Sequence, residues 1–231
     1  MPNTTNSFPG VSQRLRLLQL ASPSLPVGGY AYSRGMEYAV ETGWLTCEND
    51  TSTWIFGLLD NAFARTDIPI LKRIYKAWLD DDIDSVHYWN NYLFAMRESA
   101  EFQFEEANMG KALARLLVSL DFTEAREWQL QKNASFACLF ALAAVRWQIS
   151  LEDSCCGYVW AWLENQVAAA IKLVPLGQTS GQIILSGAIA HVEKSLQTGL
   201  SISDDEIGYA APALAMASAF HETQHTRLFR S

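Results

Sequence analysis

The residues best suited to chemistry stand near the end of the chain, at His221-Glu222-Thr223-Gln224-His225. This is the H-E-x-x-H pattern, in which two histidines four apart on a helix share a zinc ion and the glutamate between them acts as general base. A catalytic zinc also needs a third protein ligand and an open coordination position. The residues after His225 (Thr226, Arg227, Leu228, Phe229, Arg230 and Ser231) offer no good ligand, and the surrounding helix lacks a substrate cleft. A zinc-dependent hydrolase on His221, Glu222 and His225 is therefore the alternative reading. The leading one is a helix end that contacts a partner.

A second candidate is the acidic stretch Arg97, Glu98, Glu101, Glu105 and Glu106. Helical spacing of four aligns Arg97, Glu101 and Glu105, so paired carboxylates could act as acid and base. The residues alone read as a solvated helix face with an ordinary Arg97–Glu101 surface pair; a charged docking surface is the sharper version. Pro26-Val27-Gly28-Gly29 and Gly110-Lys111 lack the G-x-x-x-x-G-K-[ST] arrangement that cradles phosphate. No G-x-S-x-G elbow occurs. Cys47, Cys138, Cys155 and Cys156 form no C-x-x-C, so they are expected to be reduced and mostly buried thiols of a cytoplasmic protein.

These residues sit on a chain that reads as helical almost throughout. Apolar residues recur every three to four positions over about 49–65, 84–120, 124–148, 152–172, 177–197 and 212–224. Asp67 is expected to cap a further helix over 68–79, with Pro69 in its first turn. Pro23, Pro26 and the Gly28-Gly29 pair make 22–30 a loop. Gly177 and Gly181, four apart, suit a close helix approach. No segment alternates with period two, so the fold class is all-α: a single-domain helical bundle of about eight to ten helices over 11–224. A flexible segment over 1–10 precedes it and a partner-binding tail over 225–231 follows.

The composition, 49% hydrophobic and 18% charged, is that of a folded globular protein. A net charge of -8 without a dense basic cluster argues against nucleic acid and against anionic membrane surfaces. There is no basic leader with an apolar core, and no apolar run reaches the roughly 18 residues of a membrane span. A cytoplasmic protein is expected.

Four segments go beyond generic helices: Leu18 to Glu37, with Ser22-Pro23-Ser24-Leu25-Pro26-Val27-Gly28-Gly29 at its centre; Arg97-Glu98 with Glu105-Glu106 and Met109-Gly110; Lys172 to Gln178; and His221 to Ser231. In this order, on a chain of this size, they resemble the urease accessory protein family UreF. The resemblance implies an all-helical homodimer without a catalytic site, cofactor or resident metal. It implies partners as well: UreD (UreH in some organisms), the GTPase UreG and apo-urease, in GTP-dependent nickel insertion. The family's C-terminal residues are associated with UreD binding, which carries onto Arg227, Leu228, Phe229, Arg230 and Ser231. Tyr32, Ser33 and Glu37 match the signature and are expected in the docking surfaces, as are Arg97, Glu98 and Gln178 from the other segments. His225 departs from the pattern, where tyrosine is common, so a two-histidine metal site is not a family property.

Overall fold

A computed structural model describes residues 10–231. The flexible segment expected over 1–10 lies, apart from Gly10, outside the described residues. Among the described residues there is no strand and there are eleven α-helical segments. They are α1 (Val11–Ala21), α2 (Met36–Glu41), α3 (Glu48–Leu58), α4 (Ile68–Leu79), α5 (Ile83–Ala95), α6 (Ala100–Ser119), α7 (Ala125–Trp128), α8 (Phe136–Arg146), α9 (Leu151–Leu173), α10 (Gln178–Ser201) and α11 (Pro212–His221). With α7 a single turn, the expected all-α bundle of eight to ten helices is what forms. No helix among the described residues is long and apolar enough to cross a membrane.

The bundle is organised around α8. Every residue from Phe136 to Val145 is buried, which marks a helix enclosed on all sides rather than lying on a surface. It packs against α4, α5, α6 and α9. One expected helix over 124–148 is in fact two, because tertiary contacts claim the backbone between them. Asn90, buried on α5, donates from Nδ2 to the Asn133 carbonyl (2.9 Å) and accepts from the Ser135 N–H (3.0 Å). Ser135 then caps α8, its hydroxyl accepting from the Cys138 N–H at 3.0 Å. Gly110 of α6 passes so close that a Cβ there would lie 2.0 Å from the Ala134 carbonyl oxygen. Glycine at this point is a packing requirement, not part of a phosphate loop.

Asp67 does not cap α4. Helices α3 and α4 are joined without a break by a π-helical segment, Leu59–Asp67, and Asp67 has helical backbone angles with no capping bond. The wider π turn is propped by α10: Ser195 Oγ donates to the Leu59 carbonyl at 2.8 Å, and Gly199 brings its backbone against Ile68 and Ala64. Such segments often carry functional side chains, and here the segment delivers Asp67 to the interior. Of the glycine pair, Gly181 packs closely on Ile171 and Val167 of α9, whereas a Cβ at Gly177 would meet nothing. Only two of the four cysteines are buried, Cys138 and Cys155; Cys47 and Cys156 are exposed. Burial pushes the Cys155 thiol up to about 12.

Candidate functional site: a charged clamp under the C-terminal segment

The H-E-x-x-H stretch does not form a metal-binding helix face. Helix α11 ends at His221, so Glu222 and His225 lie beyond the regular turns that would align two imidazoles. His225 is exposed, while the His221 side chain is fully buried. Both ring nitrogens of His221 face carboxylates: Nδ1 lies 2.8 Å from Glu101 Oε2, and Nε2 lies 3.2 Å from Glu37 Oε2. Glu222 accepts from the Ala100 N–H at 3.0 Å, bringing negative charge to the N-terminus of α6. His221 and Glu222 thus each have structural partners.

The acidic stretch is not a solvated face either. Glu105 and Glu106 are 3% and 2% exposed. Arg97 precedes α6 and does not pair with Glu101. Its guanidinium bonds Asp67 at 2.6 Å and Glu106 at 2.8 Å, and the other Glu106 oxygen accepts from the Phe136 N–H at 2.9 Å at the start of α8. Burial pulls the Arg97 pKa down, but Asp67 and Glu106 raise it more, so it lies well above the ordinary value. Burial likewise opposes the charge on Arg34, but Glu105, 2.7 Å from its Nε, together with Asp67 and Glu106 raises its pKa above the ordinary value. Glu101 belongs to a third group, bonding Arg227 at 2.7 Å as well as His221.

Glu101 and Glu105, with Glu37 and the backbone from Ala31 to Arg34, fasten the C-terminal segment to the body. The main-chain oxygen of Ser231 accepts from the Ser33 N–H (2.5 Å), the Arg34 N–H (3.0 Å) and Ser33 Oγ (2.8 Å). Ser231 Oγ donates to Glu105 at 3.1 Å, and the Arg230 N–H donates to the Ala31 carbonyl at 2.8 Å. The Leu228 and Phe229 N–H groups both donate to Glu37, at 2.5 and 2.8 Å. A non-helical segment outside any sheet needs acceptors for its N–H groups, and a buried carboxylate supplies them at charge-assisted strength. Lys172 Nζ stands 5.6 Å from the centre of the Phe229 ring.

The residues from Arg227 to Ser231 are therefore docked on the body of the bundle. From Leu228 on, exposed and buried side chains alternate: Phe229 and Ser231 are 6% and 1% exposed, while Leu228 is 67% exposed and Arg230 faces outward. Of the other expected docking residues, Tyr32, Ser33 and Glu37 are buried beneath the segment and Arg97 is mostly buried, whereas Glu98 and Gln178 are exposed and stand apart from the clamp. Gly35 explains part of the Leu18–Glu37 signature. Its φ is +74°, and a Cβ there would lie 2.9 Å from the Ser218 backbone nitrogen, so glycine lets α2 meet α11.

Arg34, Asp67, Glu101, Glu105, Glu106 and His221 went unassigned to this interior cluster from sequence. One signal was present. Phe102, Glu105-Glu106, Met109 and Leu113 recur at three to four residues, which places the two carboxylates on the apolar side of α6.

An all-α bundle whose buried charges fasten its own C-terminal segment is the class of protein that this geometry defines. Comparison with known proteins makes it specific. Residues 45–189 match the UreF family model. The chain is 50% identical to the urease accessory protein UreF of Alkalilimnicola ehrlichii over 228 residues, covering 99% of this chain and all of that protein. It is 46% identical to the UreF of Teredinibacter turnerae, covering 95% and 99% of the two chains. It is also 44% identical to the urease accessory protein UreF 2 of Brucella anthropi, covering 94% and 96%. The chain belongs to the UreF family of urease accessory proteins.

Proposed function

We propose that the chain is a cytoplasmic adaptor in urease maturation, without a catalytic site of its own. It acts as a homodimer, bridging UreD (UreH) and the GTPase UreG to apo-urease during GTP-dependent nickel insertion. The observation that carries this reading is the C-terminal segment, which turns Leu228 and Arg230 outward on a backbone fastened by hydrogen bonds to Glu37, Ala31 and Ser33. Arginine beside a large apolar side chain is a common composition for an interface hot spot. Family membership supports the urease context. The zinc-hydrolase alternative loses its basis, because His221 is spent on two carboxylates and α11 ends before His225.

The structure also selects the test. Deleting 227–231 would remove partners of Glu37, Glu101 and Glu105 and confuse folding with binding. Leu228→Asp with Arg230→Glu changes exposed side chains only. In a pull-down with co-expressed UreD and UreG, this double variant is expected to remain folded by circular dichroism and to lose UreD. Recovery of UreD at the parental yield overturns the reading.

A further inference from the structure

Resting on that reading, we infer that Glu37 is the positioning residue of the docking segment, setting which of its side chains a partner meets without touching the partner itself. Glu37 is 8% exposed and lies on α2, far in sequence from the chain it holds. Both of its oxygens are engaged. Oε1 accepts from the Leu228 N–H, and Oε2 accepts from the Phe229 N–H and faces His221 Nε2. Two adjacent N–H groups converging on one carboxylate fix the backbone direction at Leu228 and Phe229. The chain bends at these two residues, and with both N–H groups held on one carboxylate the bend leaves Phe229 inward and Leu228 outward.

The groups facing Glu37 come from several elements: His221 from α11, Glu101 of α6 on the far side of that imidazole, Arg227 bonded to Glu101, and the Ser33 hydroxyl, which accepts from the Glu37 N–H at 3.3 Å. The carboxylate has no exposed role of its own. Its use is the geometry of the segment above it.

Glu37→Gln keeps the size and shape of the side chain but leaves one carbonyl oxygen where two carboxylate oxygens stood. The experiment compares Glu37→Gln, Leu228→Asp and the parent by hydrogen exchange of the C-terminal peptide and by capture of purified UreD. In Glu37→Gln, exchange at Leu228 and Phe229 is expected to rise roughly tenfold or more, the factor associated with losing a hydrogen bond to a charged group. Exchange in α8 is expected to stay at the parental level, and UreD capture to weaken. In Leu228→Asp, exchange is expected to be unchanged while capture is lost. Unchanged exchange in Glu37→Gln overturns the positioning role, as does faster exchange with full UreD capture. Full capture by Leu228→Asp instead overturns the reading that this segment is the contact, and the exchange result still reports on Glu37 separately.

Discussion

Two interior regions of this protein are equally hidden from solvent and held by opposite means. Around α8, Phe136 to Val145 are buried among apolar neighbours. In the charged interior that runs from Arg97 to the C-terminal segment, Glu37, Asp67, Glu105, Glu106 and His221 are buried too, but each is matched to a specific donor or acceptor. Apolar packing is non-directional, so α8 would tolerate many side chains of similar volume. Buried charges tolerate few, because a charge without its partner has given up water for nothing. The first region supplies cohesion. The second supplies one particular arrangement of α2, α6, α11 and the chain that follows.

Removing partners on each side tests that difference. Arg97→Ala leaves Asp67 and most of Glu106 without their cation, and is expected to lower stability by about 3–5 kcal/mol, as for a broken buried ion pair. A urea-unfolding midpoint close to that of the parent would show that these charges do not hold the fold. Leu142→Ala in α8 opens a cavity at a fully buried site and is expected to lower stability by about 3 kcal/mol. Thermal unfolding should show it still cooperative, since the surrounding packing loses volume without gaining an unpaired charge. Arg146→Ala is the control for residue type. Arg146 pairs with Asp81 and Glu124, whose side chains are 74% and 37% exposed. Its loss should cost less than about 1 kcal/mol in the same unfolding assay. A larger cost there than for Arg97→Ala would remove burial as the explanation for the contrast.

Legibility in the sequence divides along the same line. The helices of the apolar region follow from their period, and the all-α class needed nothing more. The charged region was misread in places because a helix-face argument sees only local neighbours. Glu101 was paired with Arg97 by spacing, but its partners are His221 and Arg227, more than a hundred positions away. Asp67 had the sequence context of a cap and became the partner of Arg97 because the π turn carries the helix straight through it.

What the sequence determined by itself was a helical bundle with an inward stripe on nearly every helix, and the ordered segments by which the family is recognised. Periodicity is local, so it survives without the rest of the molecule. Only the tertiary structure decided where the carboxylates go. Whether Glu105 meets water or Arg34, and whether the residues from Arg227 to Ser231 hang free or are clamped by Glu37, depends on which elements arrive opposite them. A charge has no preferred burial until its partner is in place.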